Sequence, residues 1–305
     1  MSRAPRDDRS PTIAPGARAC WVCGGKRLEL RKRANHEGPL DSGAFAITDT
    51  HYGVTAAIYE CAACGFLQCA ELDDVTHFYE GLEDEAYETG RAQRALQLRQ
   101  VLETVRRHVP GGRLLDIGAA SGILVAEAQR MGFRAEGIEP SRWLQQRAVA
   151  RHLPVSLGTF PNPSCQGRFD VITLVDVIEH VTTPRCLLEA ARSALAPGGV
   201  VAVVTPDVGS VAARLLQWRW WHFRVAHVGY FDRKTLELAA RRSGLVPVAF
   251  RRPGWFFPGD YLWERGFKLL GFGAPRAPRV LARVTVPLNL RDSLLGIFRS
   301  AAENE

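Results

Sequence analysis

Apolar and polar residues follow one another in a regular order from about residue 113 onwards. Short apolar runs predict strands, and the segments between them place apolar residues three or four positions apart, as amphipathic helices do. The predicted strands lie near residues 113–117, 134–139, 153–157, 169–175, 199–205 and 245–251. The predicted helices lie near residues 121–131, 141–151, 184–196 and 233–243. This alternation predicts an α/β fold with a doubly wound parallel sheet.

A different pattern precedes this region. Residues 1–16 are rich in Arg, Asp, Pro and Ser and have no apolar centre, which predicts a disordered tail rather than a secretion signal. Residues 45–48 and 54–60 alternate polar and apolar side chains, which predicts short strands. Residues 73–110 join an acidic, aromatic stretch to a basic helical segment. We expect them to form a linker, a lid and the helix that leads into the sheet.

Two Cys-x-x-Cys-Gly turns lie in the N-terminal part of the chain. Their cysteines are Cys20, Cys23, Cys61 and Cys64. Each turn can point two thiolates at one metal ion, and a site with four thiolates is closed and therefore structural. The spacing predicts a Zn²⁺ site in a zinc-ribbon-like domain over residues 17–72, which would lack a sufficient core without metal. A redox pair and separate core cysteines are the alternatives.

Small residues follow the first predicted strand of the sheet, in the order Asp116-Ile-Gly118-Ala-Ala120-Ser-Gly122. Such residues let the backbone turn tightly around a nucleotide. Glu139 ends the next predicted strand, where a carboxylate can bind ribose hydroxyls. The carboxylate of Asp116 would repel a pyrophosphate but attract a cationic amino acid moiety. The loop therefore indicates S-adenosyl-L-methionine, which carries an ammonium and a sulfonium, rather than a dinucleotide.

Further segments follow this loop in a fixed order. They are residues 169–181, which include Asp-Val-Ile-Glu-His, then residues 195–206, 229–236 and 243–248. With them the chain resembles the class I S-adenosylmethionine-dependent methyltransferases over roughly residues 75–299. It is most similar in character to the small-molecule and sugar methyltransferases of the ubiquinone-biosynthesis type. The resemblance implies a seven-stranded Rossmann-like sheet within residues 111–305, whose final strand, within 286–298, runs antiparallel to its neighbour.

The resemblance also implies a cofactor site. Asp116 would lie near the methionine ammonium and Glu139 at the ribose diol, and Tyr79 and Tyr87 would form a lid, although packing between domains explains these tyrosines equally well. The implied cofactor-binding residues are Asp116, Gly118, Ala120, Gly122, Glu139, Pro140, Thr159, Phe160, Asp176, Tyr79 and Tyr87. The chain departs from the family pattern in two places. Ala120 replaces the middle glycine of the loop, and residues 158–160 lack the acid that often binds the adenine amine.

Catalysis of methyl transfer consists mainly of holding the nucleophile in line, with a base if the nucleophile is protonated. His180 is the leading candidate base, because it follows the strand after which the family places residues that face the substrate. His227 and His222 are the next candidates. A histidine that only shapes its loop is the alternative for His180. Asp176 and Glu179 would orient the base or the cofactor, although surface exposure would explain Glu179 as well.

Two aromatic segments are left over, residues 217–227 and an insertion at residues 252–284. The insertion carries Arg252, Trp255, Phe256, Phe257, Tyr261, Trp263, Arg265, Phe267 and Lys268. We favour a roof over the substrate, because aromatic side chains interspersed with arginine suit sugar faces, aromatic rings or a phosphate-bearing lipid headgroup. A surface that faces a membrane and ordinary packing are the alternatives.

The 305-residue chain carries 39 Lys and Arg against 32 Asp and Glu, a net charge of +7. No apolar run reaches the roughly 18 residues that span a bilayer, so we expect a cytoplasmic protein, with peripheral membrane contact left open. The expected function is methyl transfer to a small-molecule, glycan or lipid-linked acceptor. A zinc-ribbon RNA methyltransferase is the runner-up, but dispersed basic residues disfavour nucleic acid as the partner. A non-catalytic protein of this fold is the third alternative, and no oligomeric state is predicted.

Overall fold

A computed structural model describes residues 19–48, 51–269 and 272–301 of the chain; the predicted tail, residues 1–16, lies outside them. The strands are β1 (Leu28–Lys32), β2 (Ile58–Cys61), β3 (Leu67–Gln68), β4 (Arg113–Ile117), β5 (Arg134–Glu139), β6 (Val155–Leu157), β7 (Phe169–Val175), β8 (Leu195–Pro206), β9 (Gly229–Tyr230), β10 (Leu245–Arg251), β11 (Trp255–Pro258), β12 (Thr285–Leu288) and β13 (Ser293–Ser300). The helices are α1 (Thr76–Glu80), α2 (Glu85–Thr89), α3 (Arg91–Arg106), α4 (Ile123–Arg130), α5 (Arg142–Val149), α6 (Pro184–Ser193), α7 (Val211–Leu216), α8 (Arg233–Arg242) and α9 (Gly259–Leu269). Within this part of the chain, no helix is long and apolar enough to cross a membrane.

A seven-stranded sheet forms the centre of the molecule, in the order β10-β13-β8-β7-β4-β5-β6. Strands β8, β7, β4, β5 and β6 are parallel, and β13 runs antiparallel to both β8 and β10. Residues 200–204 of β8 are fully buried, as expected for a strand that helices cover on both faces. The predicted Rossmann-like sheet is thus confirmed, and its parallel strands end at one edge, where such sheets bind ligands.

The C-terminal strand differs from the prediction. Residues 286–298 do not form one strand, because β12 pairs with β11 as a separate hairpin and only β13 enters the central sheet. The chain turns between them, where Arg291 has a positive φ of 56° and its N–H donates to the side chain of Asn289. The predicted insertion therefore continues into β12, and this hairpin with α9 stands beside the ligand-binding edge of the sheet.

The N-terminal part forms a second sheet, in the order β1-β2-β3-β9. Its last strand comes from beyond the centre of the chain, because Leu67 pairs with Tyr230. The predicted strand at residues 45–48 is wrong: Ser42–Phe45 is a 3₁₀ helix whose N-terminus is capped by Asp41. Phe45 is fully buried and its ring stacks on that of Phe78, with the centroids 4.4 Å apart. The polar and apolar alternation around Phe45 therefore reflects the burial of this one side chain rather than a strand.

Candidate functional site

The loop after β4 crosses the end of β5 at very close range. The N–H groups of Gly118 and Ala119 both donate to the carbonyl of Ile138. Gly137 permits this approach, since a Cβ there would lie 2.5 Å from that of Ala119. Ala120 adopts a positive φ of 47°, the conformation expected of the glycine it replaces, and its N–H donates to Glu139 at 2.7 Å. The alanine therefore leaves the loop geometry intact.

Two buried carboxylates flank this loop. Asp116 accepts the hydroxyl hydrogen bond of Thr173 at 2.6 Å, and Glu139 accepts the N–H groups of Ala120 and Ser141. Burial raises the pKa of each carboxyl to about 7. Among the described residues, no lysine, arginine or histidine forms an ion pair with either group. The loop thus presents two desolvated acids that a cationic ligand would stabilise in their charged form.

A cavity of about 1440 Å³ opens beside the two acids. Its lining includes most of the predicted cofactor-binding residues: Asp116, Gly118, Ala120, Glu139, Pro140, Thr159, Phe160, Asp176, Tyr79 and Tyr87. Gly122 is not among the lining residues described; with φ of 75° it begins α4, and a Cβ there would meet Leu153 at 2.8 Å. Its role is to set the start of the helix. Pockets for one ligand usually occupy roughly 300–1,000 Å³, so this cavity has room for two.

Helix α3 contributes a cation to the same cavity. The guanidinium of Arg94 lies over the ring of the buried Tyr87, 4.2 Å from its centroid, and the buried Nε of Arg94 has no hydrogen-bond partner. Sequence reasoning missed Arg94, because one arginine in a basic helix looks like any other until the packing shows which one faces the cavity. Because Arg94 lines the cavity, it offers a counter-ion to an anionic group of a ligand bound there.

The three candidate histidines form one cluster, and all three line the cavity. The ring centroids of His180 and His227 are 4.8 Å apart, and those of His222 and His227 are 5.7 Å apart. Nδ1 of His180 lies 2.8 Å from the carbonyl oxygen of Ala226. Because a carbonyl only accepts, Nδ1 carries the proton and Nε2 has a free lone pair. Burial and the nearby Arg224 lower the pKa of His180 to about 3, so the ring is neutral at pH 7.

Tyr79 belongs to this histidine cluster. Its hydroxyl lies 2.7 Å from Nδ1 of His180 and 3.3 Å from the carbonyl of Ala226, and its ring packs edge-on against Phe45. The single Nδ1 proton is therefore shared between the Ala226 carbonyl and the Tyr79 hydroxyl, which itself donates to that carbonyl. Tyr79 therefore orients His180, whereas Tyr87 stacks on Arg94 near the loop.

Acidic residues surround the cluster. Glu179 is only 2% exposed; its Oε2 accepts the hydroxyl of Thr205 at 2.9 Å, and its Oε1 has no partner. Burial, reinforced by Asp176, raises the pKa of Glu179. Asp176 has a positive φ of 53° and lines the cavity. Desolvation by the surrounding protein raises the pKa of its carboxyl to about 6. The conformation of Asp176 turns a strand end into the cavity at the cost of local strain.

Two further residues complete the cluster, and neither was found from the sequence. Nε of Arg224 donates to Nε2 of His227 at 3.1 Å, and its Nη1 donates to the carbonyl of Ile47 at 2.8 Å. Asp292, just before β13, accepts the indole N–H of Trp221 at 3.0 Å and lies 3.7 Å from Nε2 of His222. These residues come from separate loops, so only the folded chain brings them together.

The aromatic insertion closes the cavity on one side. Trp255, Phe256, Phe257 and Tyr261 line it, and the rings of Phe257 and Tyr261 stack at 5.5 Å. The side chain of Gln97 donates to the carbonyl of Phe256 at 2.8 Å, which ties the hairpin to α3. Of the earlier aromatic segment, Trp221 lines the cavity whereas Trp220 is fully buried packing.

The four cysteines of the N-terminal turns meet at one point. Their sulfur atoms all lie within 4.8 Å of one another, with Cys20 3.6 Å from Cys64 and Cys23 3.5 Å from Cys61. Four sulfurs at about 2.3 Å from a tetrahedral ion are about 3.8 Å apart. The N–H groups of Cys23 and Gly25 point at the sulfurs of Cys20 and Cys23. The donor set and its spacing fit Zn²⁺.

Comparisons with known proteins agree with this geometry. The model of a methyltransferase domain family matches residues 88–249. A ubiquinone biosynthesis O-methyltransferase from Nitrobacter winogradskyi is 32% identical over 162 residues, which cover 46% of this chain and 62% of that protein. Another, from Rhodopseudomonas palustris, is 31% identical over 125 residues, 39% of this chain and 46% of that protein. The chain thus spans about half the length of the curated relatives it matches.

Solved structures share the fold. One chain of a Haloferax volcanii complex between a methyltransferase activator and a methyltransferase superposes with a TM-score of 0.51. The two chains are 16% identical, and the match covers 76% of this chain and 100% of that one.

Proposed function

Because the chain belongs to the methyltransferase domain family, we propose that it transfers a methyl group from S-adenosylmethionine to a small-molecule, glycan or lipid-linked acceptor. The observation that carries this proposal is the pair of buried acids, Asp116 and Glu139, at a tight loop beside a cavity of about 1440 Å³. The acids and the histidine cluster line the same cavity, whose volume exceeds the roughly 300–1,000 Å³ of a pocket for one ligand, so a donor and an acceptor fit in it together.

The residues present fit the methyl donor. Asp116 would hold the methionine ammonium, Glu139 the ribose diol, and Arg94 the methionine carboxylate. Pro140, Thr159 and Phe160 would flank the adenosine, since they line the cavity next to Glu139. When bound, S-adenosylmethionine supplies a methyl group on positively charged sulfur, and the electron pair of the broken C–S bond stays with the sulfur.

Replacing Arg94 by methionine is expected to weaken S-adenosylmethionine binding by roughly tenfold or more, because a partly buried bond between charged groups contributes about 1.5–3 kcal/mol. Isothermal titration calorimetry measures this. Arg106→Met, an exposed change in the same helix, is the matched control and should leave the affinity unchanged. Equal affinities of the Arg94 and Arg106 variants would show that Arg94 does not contact the donor.

The chain's other task is to position the acceptor and receive its proton. The acceptor's nucleophilic atom forms a bond to the methyl carbon in line with the departing sulfur, and its proton passes to the histidine cluster. His180 is neutral and has its Nε2 lone pair available, His227 is neutral, and His222 lies beside the carboxylate of Asp292. Each of these histidines therefore remains a candidate base, with His180 directed by Tyr79.

The roof over the cavity supports an acceptor with an aromatic or isoprenoid body and an anionic or hydroxyl-bearing end. Aromatic side chains of the insertion supply the apolar surface, and Arg265, which lies over the rings of Tyr261 and Tyr52, supplies a cation. Phe272 and Val280 of the same insertion are each more than 60% exposed. That exposed apolar surface favours a lipid-linked acceptor and peripheral contact with a membrane.

The cysteine cluster has a structural function in this proposal. One Zn²⁺ held by Cys20, Cys23, Cys61 and Cys64 would fix the turns before β1 and after β2. This sheet continues through β3 into β9, directly after the segment that carries Arg224 and His227. Zinc would thus stabilise one wall of the acceptor side of the cavity without taking part in the reaction.

Transfer of labelled methyl groups tests the proposed function. Purified protein and labelled S-adenosylmethionine are incubated with an extract of the source cell, which is then separated into RNA, protein, lipid and water-soluble fractions. We expect label in a lipid or small-molecule fraction that survives nuclease, and none with the Asp116→Asn variant. Label that nuclease removes would contradict the acceptor class, and failure to bind S-adenosylmethionine would contradict the activity.

A further inference from the structure

An arginine and two tyrosines meet in the cavity where the aromatic insertion reaches the N-terminal part of the chain. The guanidinium of Arg265 lies over the rings of Tyr261 and Tyr52, with its Cζ 4.7 Å and 5.3 Å from their centroids. All three residues line the cavity. Arg265 and Tyr261 belong to α9, whereas Tyr52 precedes β2. Two distant parts of the chain are thus brought together around one positive charge.

The guanidinium of Arg265 has a donor to spare. Its Nη1 is buried and, among the described residues, makes no hydrogen bond. Asp260 and Glu264 of the same helix also line the cavity, but they stand five positions and one position before Arg265, which are not facing positions on a helix. Leaving a buried charged donor unpaired costs free energy. This nitrogen is therefore available to an anionic group of a ligand.

Arg224 brings a second cation to the same place. Its Nε donates to His227 and its Nη1 to the carbonyl of Ile47, whereas its Nη2 makes no hydrogen bond within the described part of the chain. Burial raises the pKa of Tyr52, and the charges of Arg265 and Arg224 both act to lower it. Charges shift a pKa at short range, so both guanidinium groups lie near the Tyr52 hydroxyl.

The donors of this group suit a phosphate better than a carboxylate. Tyr52 and Tyr261 share a hydrogen bond between their side chains, so one of the two O–H protons remains available. Nη1 of Arg265 and Nη2 of Arg224 add donors from two further side chains. A phosphate monoester presents three acceptor oxygens and about two negative charges at pH 7, which balance two guanidinium groups. A carboxylate presents only two oxygens and one charge.

We propose that Arg265, Arg224 and Tyr52 bind a phosphate group of the acceptor, whose body lies against the aromatic side chains of the insertion. The proposal rests on the function proposed above, since it concerns the acceptor of that reaction. Nε of Arg224 lies 3.1 Å from Nε2 of His227. A phosphate held by Arg224 therefore places the rest of the acceptor beside the candidate bases. Lipid phosphates and sugar phosphates share this group.

Isothermal titration calorimetry on the full chain tests the phosphate site. The protein is first saturated with S-adenosylhomocysteine, the donor without its methyl group, so that the probes do not bind at the donor site. The probes are phenyl phosphate, benzoate and phenol, which share one ring and differ in charge. We expect phenyl phosphate to bind at least roughly tenfold more tightly than benzoate or phenol. Equal affinities for phenyl phosphate and phenol would overturn the site.

Replacing Arg265 by glutamine should weaken the binding of phenyl phosphate by roughly tenfold or more, because a hydrogen bond between charged groups is lost, and should leave phenol binding unchanged. Tyr52→Phe keeps the ring under Arg265 and should cause a smaller loss. Arg279→Gln is the matched control, since Arg279 is exposed in the same insertion and is not among the lining residues described. Thermal unfolding checks that each variant folds. Equal affinities of the Arg265 and Arg279 variants for phenyl phosphate would overturn the proposal.

Titration with S-adenosylhomocysteine alone separates the two proposals. If the wild type binds it but does not prefer phenyl phosphate to phenol, the phosphate site is overturned and the methyltransferase proposal stands. If the wild type does not bind it, both proposals fail. Farnesyl phosphate and glucose 1-phosphate then distinguish the sources of the phosphate. Tighter binding of the first, lost in Arg265→Gln, supports a lipid-linked acceptor, and tighter binding of the second, lost in the same variant, supports a sugar phosphate.

Discussion

Replacing Cys61 by serine is expected to remove the bound zinc and to destabilise the protein by at least about 3 kcal/mol. Cys61 is buried at the end of β2, with its sulfur 3.5 Å from that of Cys23. Loss of one thiolate opens the tetrahedral site, and the turn that begins at Cys61 loses its anchor. The effect should reach beyond the N-terminal segment, because β2 is joined through β3 to β9.

Metal analysis and chemical unfolding measure the two parts of this prediction. Wild-type protein should carry one zinc per chain, and the Cys61 variant close to none. Cys165→Ser makes the same chemical change at a cysteine whose thiol, among the described residues, hydrogen-bonds to Ser164 alone, and it should keep both zinc and stability. A Cys61 variant with full zinc content would show that Cys61 is not a ligand, and wild-type protein without zinc would remove the metal from the proposal.

The central sheet could be predicted because its signals are local. Each strand is a short apolar run between turn residues, and the predicted bounds of β4, β5, β7 and β10 coincide with the observed ones. The resemblance in the order of the segments also predicted the last strand. Its predicted start, residue 286, lies before the observed start of β13 at Ser293. Apolar residues stand on both sides of the polar turn that includes Arg291, and this turn separates β12 from β13.

The N-terminal sheet was harder to predict, because its strands depend on distant partners. β3 has two residues and pairs with β9, which also has two, more than 150 positions away. Neither segment is long enough to show the alternation of apolar and polar residues that predicts a strand. Phe45 shows the opposite error: a polar and apolar alternation suggested a strand where a single aromatic side chain is buried in a 3₁₀ turn.

The candidate site divides in the same way. Gly118 and Glu139 could be predicted to lie at the ligand-binding edge of the sheet, because one loop and its spacing from the end of the next strand indicate it. Residues that depend on side-chain direction could not. Arg94 and Arg224 are two of many arginines in the chain, and only the structure shows that the first lies over Tyr87 in the cavity and the second beside the histidines. Glu179 could be proposed as a site residue from the sequence, but only the structure shows that it is buried rather than an acid on the surface.

Replacing Asp116 by asparagine is expected to weaken S-adenosylmethionine binding by roughly 30- to 700-fold, which corresponds to about 2–4 kcal/mol for a buried charge pair that loses one partner. The amide keeps the shape of the side chain and can still accept the Thr173 hydroxyl at the position of Oδ1. The loss therefore reports the charge rather than the packing. Glu136→Gln, on β5 in a partly exposed ion pair with Arg113, is the matched control and should bind normally.

The pKa values of Asp116 and Glu139 predict how this binding depends on pH. Both are raised to about 7 by burial, so below pH 7 the acids hold protons that a cationic ligand must displace. Affinity for S-adenosylmethionine should therefore fall as the pH is lowered from 8 to 6, with proton release on binding near pH 7. In Asp116→Asn the dependence should be shallower, because only Glu139 still titrates. A wild-type affinity that does not change over this range would contradict the assignment of the two acids to the donor.

The same shifts act in the opposite direction on the protein without its ligand. A carboxyl whose pKa is higher in the folded than in the unfolded chain holds its proton more tightly when folded, so stability falls as the pH rises from about 4 to 7. At pH 8 the ligand-free Asp116→Asn variant should thus be more stable than the wild type by about 1 kcal/mol or more, and S-adenosylmethionine should reverse this order. Thermal unfolding of both proteins at pH 5 and pH 8, with and without the donor, measures their stability under each of the four conditions. Because a residue that serves only the fold loses stability when it is replaced, a variant that gains stability and loses ligand identifies Asp116 as a binding residue.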